Sequence, residues 1–287
     1  MPKFIPKIGI IQGRLSEPIN NEIQSFPHET WKTEFEKANS CRFQVLEWIF
    51  DDIKNPLLKD SEIDEIISLS NKSNIEINSV CADYFMKEKL FNVTNSQLKE
   101  NIDVLMNLII QCGKIGIKIL EIPLVDSSSL QSENNMNDFF YNVSPILPLA
   151  EANDVLINLE TDLPPKKFLS FLKKFDHSNI GANYDLGNSA SLGYDVKEEI
   201  MTYGDFITNI HLKDRPYLDG TVPLGLGDAN FDLFFEAISQ TEYRGDLIIQ
   251  AAREQINKTD GPEQTCKKYR DFVKTYVDKY YSEFNIS

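Results

Sequence analysis

Short apolar runs alternate with longer amphipathic stretches along the whole chain. Eight of the runs, at 8–12, 44–48, 76–81, 118–122, 155–160, 181–185, 206–211 and 247–250, are rich in β-branched and aromatic residues and bounded by turn residues, as strands buried on both faces of a parallel sheet are. Between and after them lie stretches of helical period near 29–40, 61–73, 95–114, 134–152, 165–175, 195–204, 230–240 and 262–283. The last is the clearest, with Tyr269, Phe272, Val273, Tyr276, Val277 and Tyr280 recurring at three- and four-residue steps. Ser61, Glu62 and Asp64 are expected to open the second helix as a cap and an acidic first turn, and Gly113 and Gly116 to punctuate the end of the third. Eight strand–helix units in succession predict an α/β chain folded as one (β/α)8 TIM barrel over residues 1–287. An open doubly wound sheet would normally carry a glycine-rich phosphate turn after its first strand, and Gln12-Gly13-Arg14-Leu15 is not one.

Charge narrows the partners. The 287 residues hold 29 Lys+Arg against 44 Asp+Glu, a net charge of −15, and Lys and Arg are scattered. A nucleic acid or an anionic membrane calls for a basic footprint, so neither is expected as a partner. Cys41, Cys81, Cys112 and Cys266 lie far apart with no C-x-x-C pair, which signals neither a disulfide framework nor a thiolate zinc site. The first seven residues, with two prolines and two lysines, lack the apolar helix of a signal sequence, and no uninterrupted apolar run is long enough for a membrane span. A soluble cytoplasmic protein is the expectation.

In a barrel of this kind the side chains at the C-terminal ends of the strands converge on one mouth. Here those ends offer Glu47, Glu121, Glu160, Asp185, His211 and Gln250. Buried carboxylates cost several kcal/mol unless they are paired or bind metal, so several of them converging beside an imidazole favour a divalent cation such as Mn2+, Mg2+, Co2+ or Zn2+. Singly, each has a plainer reading: a salt-bridge partner for a glutamate, a satisfied barrel histidine for His211, a turn for Asp185 before Gly187-Asn188.

Several segments resemble the xylose-isomerase-like TIM-barrel superfamily of sugar and sugar-phosphate isomerases and epimerases, which also holds the apurinic-site endonucleases. Ile157-Asn158-Leu159-Glu160 is similar to its strand-5 metal glutamate, and Tyr184-Asp185-Leu186-Gly187-Asn188 to its strand-6 aspartate segment. Ile210-His211-Leu212-Lys213-Asp214 resembles the strand-7 H-x-K-D signature, and residues 223–231 resemble the glycine loop that follows it. The segment 44–50, with Glu47, matches the generic strand-2 pattern. The resemblance implies metal ligands Glu160, Asp185, His211 and, in the place of a second glutamate, Gln250; Glu254 lies farther along. It implies a metal-chelated keto-sugar, sugar phosphate or sugar acid that loses a proton beside its carbonyl to give an enediolate, with Glu160 as the catalytic base. The endonuclease branch needs more histidines than His28, His177 and His211 and a basic face for DNA.

Gln250 sets the chain apart, because an amide neither takes nor returns a proton at neutral pH. One-base chemistry therefore gains over two-base epimerisation: aldose–ketose isomerisation, or dehydration of a keto-sugar or keto-cyclitol as in the dehydratases of the same superfamily. Glu47, Glu121, Lys213 and Tyr84 are candidates for a replacement acid. A third reading is a non-catalytic sugar-binding relative. Arg14, Glu47, Asn188, Lys213 and Arg253 are the candidate substrate-binding residues, with structural pairing the alternative for each. A small-molecule carbohydrate is the expected partner, with assembly into a homo-oligomer left open.

Overall fold

Each of the eight apolar runs forms a strand, and each strand pairs in parallel with the next. They are β1 (Ile8–Ile11), β2 (Val45–Ile49), β3 (Ser79–Cys81), β4 (Ile119–Leu124), β5 (Leu156–Thr161), β6 (Ile180–Asp185), β7 (Ile207–Leu212) and β8 (Leu247–Ile249). β8 pairs with β1 and closes the barrel. The structure, a computed structural model, describes residues 4–20, 22–253 and 260–281. Among these the helices are α1 (Trp31–Ser40), α2 (Asp60–Ser73), α3 (Tyr84–Lys87), α4 (Asn95–Ile115), α5 (Glu133–Val143), α6 (Leu147–Ala152), α7 (Pro165–Lys174), α8 (Leu186–Leu192), α9 (Val196–Tyr203), α10 (Phe231–Ile238) and α11 (Pro262–Tyr281). None of them is long and apolar enough to cross a membrane.

The outer faces of the strands carry the hydrophobic core. Leu46, Trp48, Leu120, Ile122, Ile157, Leu159, Ile210 and Leu212 are all buried, and in a strand residues two apart share a face. Tyr184 on the outside of β6 stacks on Phe234 of α10 with ring centroids 5.6 Å apart. The helical face expected in the last stretch is present: Tyr269, Val273 and Val277 of α11 are buried, and Phe272 and Tyr276 meet Phe231 and Phe235 of α10.

Local chemistry moves some boundaries. α2 begins at Asp60, so Ser61 lies inside the helix and Lys59 takes the N-cap position. α4 starts on a capping box between Thr94 and Gln97 and ends at Gly116, whose φ of +91° suits a residue without Cβ. β3 is shorter than its apolar run: Glu76 makes only an isolated bridge to Val45. Where the plainer reading of Asp185 before Gly187-Asn188 is a turn, Leu186–Leu192 form α8, because the Asp185 side chain accepts the Asn188 N–H and caps the helix.

α8 is also held from behind. Glu199 of α9 accepts hydrogen bonds from Ser189, from Tyr184 (3.0 Å) and from Tyr203 (3.2 Å). Burial raises its pKa from 4.5 to about 7, with the three hydroxyls opposing. An acid whose pKa is higher folded than unfolded binds more protons in the native state, so its contribution is complete below pH 4.5 and is lost as pH rises through 7. The shift corresponds to on the order of 3 kcal/mol. In urea titrations at pH 5 and pH 8, Glu199→Gln is expected to shrink the stability lost between the two by about that amount. An unchanged pH slope would show that Glu199 is not the group responsible.

Candidate active site at the barrel mouth

The two-residue period that puts apolar residues on the outside of the barrel puts polar ones inside it. Asn158 and Glu160 of β5, Asn183 and Asp185 of β6, Asn209 and His211 of β7, Glu121 of β4, Ser79 and Cys81 of β3 and Glu47 of β2 are all buried. Glu47 forms the floor. Its Oε2 accepts hydrogen bonds from Ser79 Oγ (2.6 Å) and Asn209 Nδ2 (2.8 Å), and its Oε1 lies 2.7 Å from His211 Nε2. The carboxylate therefore holds Nε2 as a donor and turns Nδ1 toward Glu160 Oε2, 3.4 Å away, and Asn183 Nδ2, 3.1 Å away.

Glu160 stands above this floor between two amides. Asn183 Nδ2 donates to Oε2 (2.8 Å) and Asn188 Nδ2 to Oε1 (2.6 Å), while Asn188 Oδ1 accepts from Arg215 Nη1 (2.8 Å). Burial disfavours its charge, but the hydrogen bond and charge of His211 and the charge of Lys213 outweigh burial and hold its pKa well below the usual carboxylate range. Lys213 Nζ lies 2.8 Å from Asp185 Oδ2, the oxygen not used in capping α8. Gly187 makes that approach feasible: a Cβ there would lie 2.8 Å from Lys213 Cβ. Asp214 is structural, its carboxylate accepting the backbone N–H groups of Gly225, Gly227 and Ala229 and so folding the glycine loop.

Glu121 completes the cluster. Its Oε2 is 3.1 Å from His211 Nε2, yet both its oxygens are buried and accept no hydrogen bond among the described residues. Burial and the carboxylates of Glu160 and Glu47 push its pKa well above 4.5, against the pull of His211. For His211, burial opposes the charge, but Glu121 and Glu47 hold its pKa well above 6.5. With His211 neutral, as an imidazole that binds a metal must be, the three glutamates carry −3 when all are ionised, and Lys213 offsets Asp185. A buried acidic cluster of this kind suits a divalent cation, as do the donor atoms. Glu121, Glu160 and His211 each offer one ligand atom within 4.8 Å of the others, and among the described residues the buried Gln250 Oε1 and Asp185 Oδ2 have no hydrogen-bond partner.

A cavity of 480 Å³ opens above these groups, lined by Glu121, Glu160, Asn188, Lys213, Arg215 and Gln250 among others. Of the residues singled out from the sequence, Glu160, Asn188, Lys213 and Gln250 meet there, with His211 and Glu47 beneath. Arg14 and Arg253 do not line this cavity but a neighbouring one. Arg14 donates to the carbonyls of Ala251 and Ile23, and Arg253 to those of Ile23 and Ser16, so both tie the loop after β1 to the end of β8. Glu254 lies outside the described residues. Asn183, Asn209, Ser79 and Arg215, which orient the ionised groups, stand outside the set expected from the sequence.

Residues 35–275 match the family model described as xylose isomerase-like TIM barrel. Among curated proteins, the L-ribulose-5-phosphate 3-epimerase UlaE of Escherichia coli O1:K1 is 22% identical over 262 residues, covering 88% of this chain and 91% of that one. Among solved structures, a D-psicose 3-epimerase with D-tagatose from Clostridium cellulolyticum H10 superimposes with a TM-score of 0.75 at 17% identity, over 94% of this chain and 99% of the other. An IolI protein with a bound zinc atom gives 0.77 at 17% identity, over 96% and 99%.

Proposed function

The chain belongs to the xylose isomerase-like TIM-barrel family, and from that premise we propose that it is a divalent-metal-dependent isomerase or epimerase of a sugar or sugar phosphate, with Glu160 as the base that removes a proton beside the substrate carbonyl. The observation that carries the reading is the buried Glu160 carboxylate, fixed between the Asn183 and Asn188 amides and facing a cavity large enough for a pentose or hexose derivative. Each of its oxygens accepts one amide N–H, which leaves lone pairs for a substrate C–H. Sugar-epimerase relatives of the same fold, one of them acting on a phosphorylated ketose, support the substrate class, and the IolI structure supports a metal.

A divalent ion held at Glu160 and His211, with the Gln250 amide oxygen in reach of the same cavity, supplies Lewis acidity for the carbonyl. The protein's own groups do the rest. Asn183 and Asn188 fix the Glu160 carboxylate plane. Lys213, paired with Asp185, and Arg215, braced on Asn188, present cationic donors to the oxygens of a bound sugar or phosphate. Gln250 returns no proton, so Glu160 acting alone delivers the proton to the face from which it was taken, the stereochemistry of an aldose–ketose isomerisation.

The test is proton exchange in heavy water. The Mn2+-loaded protein is incubated with ketoses and ketose phosphates, L-ribulose 5-phosphate and D-psicose among them, and deuterium at the carbons flanking the carbonyl is followed by NMR. Incorporation at one such carbon is expected for at least one substrate. A fully loaded protein that exchanges none of the panel would overturn the reading.

A further inference from the structure

We propose that the cavity beside the barrel mouth is an anion site, built by Arg14, Arg253, Thr265 and the first turn of α11 to hold a phosphate group, free or carried by a small organic molecule. The site is separate from the catalytic cavity and does not depend on the metal-dependent reading. It encloses 480 Å³, and no residue lines both cavities. Ile10 and Ile249, partners on the outward faces of β1 and β8, line it, so it lies outside the barrel wall, between the strands and α11.

Arg14 is only 6% exposed, and burial with the charge of Arg253 lowers its pKa to about 10. Among the described residues the arginines with a carboxylate within salt-bridge distance are Arg244 and Arg270, so the adjoining pair in the cavity wall has none. Arg14 and Arg253 donate to the carbonyls of Ala251, Ile23 and Ser16 and to the Gln24 amide oxygen. Those acceptors satisfy donors but cancel no charge, and they leave half of the two guanidiniums' N–H groups for a ligand. Glu34 attracts both arginines from beyond the cavity lining, yet burial pushes its own pKa up to about 7, and Glu17, the acid within the lining, is exposed. A buried cation short of an anion is costly, and a bound oxyanion relieves that cost.

A second observation points to the same ligand. Thr265 lines this cavity, is itself buried, and its Oγ1 has no hydrogen-bond partner among the described residues. Pro262 and Thr265 bring the start of the 20-residue α11 to the cavity, where the helix end favours negative charge. The thiol of Cys266 stays out of the set, because it donates to the Arg14 carbonyl 3.3 Å away. Two guanidinium forks and a hydroxyl match a tetrahedral oxyanion, and Ile10, Ile249 and Tyr269 offer apolar surface to an organic body attached to it. The Ile23 carbonyl accepts from both arginines, while Ile23 and Gln24 line the catalytic cavity. An anion held here therefore braces one wall of that cavity without entering it.

The experiment follows inorganic phosphate binding to the metal-free full-length protein, by ³¹P NMR line broadening and by the rise in Tm, with chloride at equal ionic strength as the reference. Saturable millimolar binding is expected. Arg253→Gln is expected to weaken it about tenfold, as loss of a charge-assisted donor does. Thr265→Val, which keeps the side-chain shape, is expected to weaken it about threefold and decides the matter should Arg253→Gln fold poorly. Lys213→Met, a change in the catalytic cavity, is expected to alter it by less than about twofold. Glycerol 3-phosphate that binds more tightly than inorganic phosphate identifies an organic phosphate as the ligand, and one that binds no more tightly identifies free phosphate. A wild-type protein that takes up phosphate no better than chloride overturns the proposal. So does binding that survives in both Arg253→Gln and Thr265→Val, or that is lost in Lys213→Met.

Discussion

Glu160→Gln folds and keeps its cavity but loses turnover and α-proton exchange by about 10³-fold or more, the scale of removing a positioned base. The variant is isosteric, so packing is conserved. Its local cost is small and readable: Asn183 and Asn188 each donate to one carboxylate oxygen, and in the amide one of those donors meets an N–H instead. The loss of one such bond costs about 1–3 kcal/mol, visible as a modest fall in Tm beside an almost complete loss of activity. Glu160→Asp separates the two duties of the residue. A shorter carboxylate still offers charge to a cation, so Mn2+ binding weakens far less than exchange does. Retained exchange in Glu160→Gln would remove Glu160 from the role of base.

The barrel and the identities of the mouth residues are legible in the chain because both follow from periodicity. Strands buried on two faces must be apolar outside, and only their inward positions are free to be polar. Within β5, β6 and β7 the same three-residue signature recurs, Asn158-Leu159-Glu160, Asn183-Tyr184-Asp185 and Asn209-Ile210-His211, each with an amide two positions below an ionisable group. That repeat lies in the amino-acid order itself, and it marks two of the supports for Glu160 and His211. The pairing between strands does not lie there. Asp185 and His211 occupy equal levels on neighbouring strands, a juxtaposition that no local pattern states. The capping of α8 and the salt bridge to Lys213 are decided by the turn after β6 and by the close approach at Gly187, both tertiary facts. Arg14 and Arg253 illustrate a related point: a guanidinium beside a barrel mouth reads as an anion clamp, whereas here both donate to backbone carbonyls, Arg14 to those of Ile23 and Ala251 and Arg253 to those of Ile23 and Ser16.

Glu47→Gln acts on the chemistry from beneath without lining the cavity. In the parent protein one carboxylate oxygen receives Ser79 Oγ and Asn209 Nδ2, and the other faces His211 Nε2. A glutamine must turn its carbonyl to the first pair, because both are donors, and its N–H group then points at Nε2. His211 can meet that N–H only with an unprotonated Nε2, which moves the imidazole proton to Nδ1, the nitrogen facing Glu160. The lone pair needed for a cation is then on the wrong side of the ring, much as an amide in place of an orienting acid reverses the tautomer in a hydrolase triad. Mn2+ binding is expected to weaken about 100-fold, the upper range for losing a group that orients a metal histidine, and proton exchange to fall in proportion. Histidine ¹⁵N shifts in the metal-free variant identify the tautomer directly. A ring still protonated at Nε2 with unweakened Mn2+ binding would mean that Glu47 serves the stability of the barrel floor alone, and that His211 owes its orientation to Asn183.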